Sequence, residues 1–187
     1  MHPVLEYLSN VNNNYNREYE EDLYDESIAT SSILSTFPGV NITRVTTVHN
    51  NYLHGMYELK KLEYESRYGS VQELTLVHST SARNVQSIIE DNLDWRRVVR
   101  GKYGDGVSFS GSAGYANRFS NRNNGYERAF IVATVLVSRE MELDGYTSME
   151  VPPDDVDTTT GNDGQVYVKY CDNEFLIKYI VYYRYQL

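Results

Sequence analysis

Cysteine is almost absent from this chain of 187 residues. Cys171 stands alone, so an internal disulfide is excluded. Together with only four scattered histidines, this also excludes a metal site built from neighbouring cysteines and histidines, and we expect no metal. A chain without disulfides suits a reducing compartment, so we predict an intracellular protein of the cytoplasm or nucleus.

Long apolar runs are missing as well. No stretch approaches the ~18 apolar residues that a membrane-spanning helix needs. The segment from Met1 to Glu6 has no basic part followed by an apolar part, so no signal peptide is predicted. We therefore expect no membrane partner.

Basic charge is also scarce, with 17 lysines and arginines against 26 acidic residues and a net charge of -9. Such a chain has no general attraction to nucleic acid, and a nucleic-acid partner would need a localised basic face. The 18 tyrosines could form a surface for base stacking. Many of them lie in runs typical of strands, such as Tyr179 to Tyr183, which favours a structural role.

The length fits one domain. Residues 1–18 are rich in asparagine and bury little, which predicts a flexible leader. Residues 19–187 then form the folded domain. A loop is predicted between Asp144 and Gly164, where prolines, aspartates and three consecutive threonines occur.

Periodicity predicts helices first and strands afterwards. Ser81 is the expected N-cap of the third helix, and the strand near residue 130 is apolar throughout, which indicates burial on both faces. The pattern predicts an α+β fold with a split, mostly antiparallel sheet. The expected helices cover about 18–34, 50–67, 81–92 and 113–118; the expected strands are 40–48, 74–77, 107–110, 129–137, 165–170 and 176–185.

Two stretches carry the functional signal. An apolar strand ends in His78-Ser79-Thr80, and a second strand is entered through Tyr103-Gly104-Asp105-Gly106. In the same order, Asp94-Trp95-Arg96 resembles the motif "FDWR", and Tyr115 to Ser120 resembles "YSHNFS". The chain thus resembles the catalytic domain of poly(ADP-ribose) polymerases, a diphtheria-toxin-like ADP-ribosyltransferase. It is most similar to the mono-ADP-ribosylating branch with the TCDD-inducible polymerase and the zinc-finger antiviral protein.

The resemblance covers roughly residues 19–187 and implies the ADP-ribosyltransferase fold. It also implies NAD+ as substrate, bound between two facing sheets, and no metal. Nicotinamide leaves, and an acceptor on a protein or on the chain itself attacks the ribose. Orientation and electrostatics do most of the catalysis in such a site.

The resemblance assigns the catalytic triad of this family to His78, Ser108 and Val166. His78 matches the histidine that binds a ribose hydroxyl of the adenosine half. Ser108 stands in place of a tyrosine that stacks on nicotinamide, and Val166 replaces the glutamate that supports chain elongation. Thr80 completes the His-x-Thr motif, and Ser79 replaces a glycine whose backbone holds the carboxamide.

Four further residues are implied as NAD-binding. Phe119 matches a second aromatic that stacks on nicotinamide, and Ala116 replaces a serine that binds the carboxamide oxygen. Arg100 belongs to the basic loop 96–102, which suits a pyrophosphate, although a solvated basic loop is the alternative. Tyr103 is expected to form the wall near the nicotinamide ribose.

Two functions follow from these residues. The first is an NAD-dependent mono-ADP-ribosyltransferase that does not form polymer, because the side chain of Val166 cannot accept a hydrogen bond. The second is an inactive protein of the same fold, a pseudoenzyme that acts as an interaction module. The combined replacements at Ser79, Ser108, Ala116 and Val166 support the second hypothesis.

Overall fold

The computed structural model describes residues 23–98, 101–119 and 125–185. The predicted leader 1–18 and Arg100 lie outside these ranges. None of the described helices is both long and apolar enough to cross a membrane. The elements are α1 Leu23–Thr36, β1 Asn41–Thr47, α2 Asn51–Tyr68, β2 Gln72–Ser81, α3 Val85–Asp91, β3 Val107–Phe109, α4 Ala113–Phe119, β4 Glu127–Val137, β5 Glu140–Leu143, β6 Thr158–Gly161, β7 Val166–Lys169 and β8 Phe175–Arg184, with short 3₁₀ turns at Ala82–Asn84 and Trp95–Arg97.

The first sheet has four antiparallel strands in the order β1-β8-β4-β2. Strand β4 lies inside this sheet, and alternate side chains pack on opposite faces. Phe130 and Val132 contact the layer of α1 and α4, whereas Ala129 and Ile131 contact the layer of α3. Helices on both faces explain why β4 is apolar almost throughout, which confirms the strand predicted near residue 130.

The second sheet has the order β3-β7-β6-β5, in which only the β5–β6 pair is parallel. An isolated antiparallel bridge joins the two sheets. The N–H of Val77 donates to the carbonyl of Ser110 at 2.8 Å, and the N–H of Ser110 donates back at 2.9 Å. This arrangement confirms the predicted α+β fold with split, mostly antiparallel sheets.

Helix α2, Asn51–Tyr68, lies close to the expected range 50–67. Its N-cap is Asn50, whose Oδ1 accepts the N–H of Leu53 at 3.0 Å, and it ends at Gly69, which has φ of 83°. A left-handed residue after a helix favours glycine, since it has no Cβ. The buried rings of Tyr57 and Tyr64 pack on the ends of β4 and β8.

Three local expectations need correction. Strand β2 runs to Ser81, so His78 lies within the strand and not at its end. Ser81 precedes a 3₁₀ turn and its side chain makes no capping hydrogen bond. Thr158 to Gly161 form the buried strand β6 inside the predicted loop, because these β-branched threonines pair with strands on both sides.

Candidate active site

A cleft opens where β2 and β3 leave the bridge between the sheets. His78 of β2 and Ser108 of β3 face each other there, and the Nδ1 of His78 lies 2.9 Å from the carbonyl oxygen of Ser108. A carbonyl only accepts, so Nδ1 carries the proton and Nε2 of the neutral ring is an acceptor. Burial lowers the pKa of His78, and the bond to the Ser108 carbonyl opposes this shift. The ring is therefore neutral at neutral pH.

One side of the cleft is a cavity of about 280 Å³, called here the small cavity. Apolar and aromatic side chains dominate its lining. It brings together six of the residues selected from the sequence, which come from both sheets, from α4 and from the loop before β3. These six are His78, Ser79, Tyr103, Ser108, Ala116 and Val166.

The other side is a more polar cavity of about 670 Å³, called here the large cavity. His78 and Ser108 line both cavities, and Thr80 lines the large one beside α3. The hydroxyl of Thr80 accepts a hydrogen bond from the amide of Asn84 at 3.1 Å. Arg97 also lines the large cavity. A ligand that spans both cavities would therefore meet His78 at its middle.

The side chain of Ser79 is engaged behind the small cavity. Its Oγ lies 2.8 Å from the hydroxyl of Tyr183, which donates to Oδ1 of Asn117 at 2.8 Å. The backbone groups of alternate residues in a strand point to the same side. Since those of Val77 point across the bridge to Ser110, the N–H and C=O of Ser79 point toward the same open side, into the cleft.

Tyr103 is a fixed wall of the small cavity. Its carbonyl accepts hydrogen bonds from Thr159 Oγ1 at 2.6 Å and from the Tyr170 hydroxyl at 2.8 Å. Its ring packs on Gly161, where any Cβ would collide with the ring. Glycine is thus required in β6 by the close approach of Tyr103.

Ser108 presents only a small side chain to the small cavity. Aromatic rings line the cavity at other positions. Tyr115 of α4 and the exposed Tyr146 join Tyr103 around the small cavity. The ammonium of Lys102 lies 4.7 Å from the ring centre of Tyr103 and 5.9 Å from that of Tyr146. The cavity mouth therefore combines a cation with aromatic faces.

Val166 and Ala116 stand where the resembled family has side chains that form hydrogen bonds, and neither can form one. Val166 begins β7 opposite Gly161 and is 6% exposed, so a methyl surface occupies this part of the wall. Ala116 lies on α4 and likewise offers no side-chain donor or acceptor. Polar contacts to a ligand in the small cavity must come from the backbone, from hydroxyls, from His78 or from the ammonium of Lys102.

The basic residues of the loop 96–102 lie in different places. The guanidinium of Arg96 makes two bonds to the carboxylate of Asp172, at 2.9 and 2.8 Å. Arg97 lines the large cavity and Lys102 the small one, while Arg100 lies outside the described residues. Phe119 ends α4, and its side chain also lies outside the described part of the chain.

Behind the second sheet lies a buried ionic cluster that sequence reasoning missed. Nζ of Lys169 lies 2.7 Å from Oδ2 of Asp157 and 3.2 Å from Oε1 of Glu174, and these side chains are at most 1% exposed. The hydroxyl of Tyr64 also donates to Glu174. A lysine on a short strand gives no sign in the sequence that it is buried. For Tyr115 a signal existed, since it begins the stretch Tyr115 to Ser120 that resembles the motif "YSHNFS".

Comparison with known proteins gives one family and two relatives. The model of the poly(ADP-ribose) polymerase catalytic domain matches residues 26–174. The mouse (Mus musculus) protein mono-ADP-ribosyltransferase PARP12 is 30% identical over 122 residues, which are 63% of this chain and 17% of that protein. The human (Homo sapiens) protein of the same name is 32% identical over 122 residues, with the same coverage. The match thus spans less than a fifth of these relatives.

Proposed function

The chain belongs to the family of poly(ADP-ribose) polymerase catalytic domains, and we propose that it is an NAD+-dependent mono-ADP-ribosyltransferase that modifies protein. The observation that carries the proposal is the small cavity. His78, Ser79 and Tyr103 line it together with Ser108, Ala116 and Val166, although these residues come from separate elements. The acceptor is another protein or the chain itself, in the cytoplasm or nucleus.

Binding of NAD+ would use both cavities. The neutral Nε2 of His78 would accept a hydrogen bond from a hydroxyl of the adenosine ribose, with Thr80 and Arg97 on the side of the large cavity. The N–H and C=O of Ser79 would hold the carboxamide of nicotinamide in the small cavity. We further propose that Phe119 stacks on nicotinamide and that Arg100 contacts the pyrophosphate.

The reaction exchanges one bond at the nicotinamide ribose. The bond from the ribose C1′ to the ring nitrogen breaks, and nicotinamide leaves with the electron pair. The acceptor oxygen bonds to C1′, and a hydroxyl acceptor also loses its proton. Orientation and electrostatics supply most of the rate, because the site would hold both reactants in place.

Transfer of single units follows from Val166. Chain elongation needs a group that accepts a hydrogen bond and orients the next ribose hydroxyl. The isopropyl group of Val166 on the cavity wall has no such atom. The name mono-ADP-ribosyltransferase, which both relatives carry, supports the same limit.

A second candidate is an inactive interaction module, and the replacements in the small cavity favour it. Loss of a stacked ring at Ser108 costs about 1 kcal/mol. Loss of a neutral hydrogen bond at Ala116 costs about 0.5 to 1.5 kcal/mol. These losses need not add, because Tyr103, Tyr115 and Tyr146 supply other aromatic surface.

Calorimetry with NAD+ separates the two candidates. We expect micromolar binding by the wild-type chain and loss of binding in His78→Ala. His49→Ala is the matched control, since His49 is exposed and lines neither cavity of the cleft. The same samples are then incubated with a tagged NAD+, and single-unit labelling is expected. No binding at millimolar NAD+ would reject the transferase and leave the interaction module.

A further inference from the structure

The side chain of Ser79 connects β2 with two other elements of the cleft. Its Oγ lies 2.8 Å from the hydroxyl of Tyr183 in β8, and that hydroxyl donates to Oδ1 of Asn117 in α4 at 2.8 Å. All three residues are buried, and an unpaired polar group in the interior is costly. These hydrogen bonds therefore fix the position of β2 relative to β8 and α4.

The direction of the hydrogen bonds follows from their far end. Arg128 can only donate, and its Nη1 donates to Oδ1 of Asn117 at 3.4 Å, so this atom of Asn117 is an acceptor. The single proton of the Tyr183 hydroxyl goes to the same oxygen. The hydroxyl of Ser79 must then donate to Tyr183. Of the groups of Ser79, only the main-chain N–H remains to donate to a ligand in the small cavity.

The backbone of Ser79 has no need of the glycine that the resembled family has at this position. Glycine is favoured where φ is positive, because it has no Cβ. Ser79 lies inside β2 and is not among the described non-glycine residues with positive φ. A serine therefore occupies this position without backbone strain, and its hydroxyl adds an attachment that glycine lacks.

The two partners of Ser79 lie behind the cleft and not in it. Asn117 attaches α4 to Tyr183, and its neighbour Ala116 lines the small cavity, as Ser79 does on β2. Tyr183 and Asn117 themselves line neither cavity of the cleft. Substitutions of these two residues can thus change ligand binding only through the positions of β2 and α4.

We propose that Ser79 and Tyr183 are positioning residues for the carboxamide of nicotinamide. The inference rests on the proposed function, in which the N–H and C=O of Ser79 hold this group. The hydroxyl of Ser79 aligns the main chain of its own residue, and Tyr183 extends the alignment to Asn117 and α4. The serine is therefore a replacement that strengthens the carboxamide end of the small cavity, and it does not by itself favour an inactive interaction module.

The first test compares two ligands of the full chain by calorimetry. Benzamide carries the carboxamide, whereas ADP-ribose lacks it. We expect Tyr183→Phe to weaken benzamide binding about fivefold and to leave ADP-ribose binding unchanged, because only the carboxamide end loses its alignment. Tyr182→Phe is the matched control, since Tyr182 lines neither cavity of the cleft. An equal loss for both ligands in Tyr183→Phe would show a general structural effect and overturn the proposal.

The second test replaces Ser79 by the glycine of the resembled family. Ser79→Gly is expected to weaken benzamide binding about fivefold, because the hydrogen bond to Tyr183 is lost. If the serine only damaged the site, the return to glycine would strengthen binding instead, and that result would overturn the proposal. Ser81→Gly is the control, since it makes the same change two residues further along β2 and outside both cavities.

Two further experiments test whether the residues act through one another. The double variant of Ser79→Ala and Tyr183→Phe should lose no more benzamide affinity than Tyr183→Phe alone, because both substitutions break the same hydrogen bond. Asn117→Asp keeps an acceptor oxygen for Tyr183 beside Arg128, and we expect benzamide binding within about twofold of wild type. Asn117→Leu should match Tyr183→Phe. Additive losses in the double variant would overturn the proposal.

Binding by the wild-type chain separates this proposal from the proposed function. If wild type binds benzamide and ADP-ribose, and Tyr183→Phe binds both equally well, the positioning role is rejected and the transferase stands. If wild type binds neither ligand at millimolar concentration, the transferase and the positioning role are rejected together.

Discussion

The two walls of the cleft are supported in different ways. Behind β2, Ser79 is held through the hydroxyl of Tyr183 and the amide of Asn117, with Arg128 at 3.4 Å from that amide. Behind the second sheet, Lys169 lies between two buried carboxylates. The first support consists mainly of neutral hydrogen bonds, whereas the second is ionic.

The difference predicts how each wall tolerates substitution. A neutral hydrogen bond contributes about 1 kcal/mol, so a domain of ordinary stability remains folded when one such bond is lost. Removal of one member of a buried ion pair leaves an uncompensated charge, which is strongly destabilising. The wall that carries Val166 should therefore depend on its buried cluster far more than the wall that carries Ser79.

The largest effect is expected for Lys169→Met, which breaks the ionic support. It leaves the carboxylates of Asp157 and Glu174 buried without their cation, and we expect a loss of about 3 to 5 kcal/mol in the free energy of unfolding. Urea denaturation measures it. Lys61→Met is the control, because the partly exposed pair with Glu73 contributes at most about 1 kcal/mol. Equal losses of unfolding free energy in both variants would contradict the conclusion that the second wall depends on its buried ionic cluster.

A smaller effect is expected for Tyr183→Phe, which breaks the neutral support. It removes the hydroxyl that bonds to Ser79 and Asn117, and the expected loss is about 1 kcal/mol, because Asn117 keeps its contact with Arg128. Tyr182→Phe is the matched neighbour in β8, with its ring under Arg44. A loss as large as that of Lys169→Met would show that the two supports do not differ.

The third substitution, Ser108→Tyr, tests how the wall of the second sheet contacts a ligand. Ser108→Tyr places a ring on the wall of the second sheet, and we expect benzamide, a nicotinamide analogue, to bind about fivefold more tightly. Fluorescence or calorimetric titration measures the gain. Thr43→Tyr adds the same ring on exposed β1 and should change nothing. No gain for Ser108→Tyr contradicts the assignment of Ser108 to the stacking position.

The smallest effect concerns the pH dependence of stability and depends on His78, whose ring in β2 contacts the Ser108 carbonyl in β3. The pKa of His78 is lowered by burial, so below pH 6.5 the unfolded chain takes up this proton more readily than the folded one. The free energy of unfolding therefore falls as pH falls from 6.5 through the lowered pKa. His78→Gln should reduce this dependence, since glutamine can donate to the Ser108 carbonyl without titrating. Identical pH profiles of the two proteins would contradict the shift.

Much of the fold was predictable from local pattern. The apolar run in β4, the stripe and cap residues of α2 and the closing strands β7 and β8 each carry their signal within one segment. Strand β6 was missed because its threonines follow prolines and aspartates, and only pairing with β5 and β7 makes them a buried strand.

The candidate site divides in the same way. The position of His78 was suggested by its motif, and the structure places it beside Ser108 as part of the small cavity. The contact of Ser79 with Tyr183 joins residues 104 positions apart, and the burial of Lys169 depends on Asp157 and Glu174, which lie outside its own strand. No pattern within one segment reports such contacts, so the supports behind the walls were not predictable.

The bridge between Val77 and Ser110 has a consequence for how this protein can change over generations. It is made only of main-chain atoms, so among substitutions only one to proline, which lacks the N–H, removes a donor of its hydrogen bonds. A lineage can therefore exchange the residues that face the cleft, and gain or lose reactivity, while the opening between the sheets keeps its width. The shape of the cleft therefore depends on main-chain contacts and its reactivity on side chains, so the cavity can persist while its lining residues are exchanged.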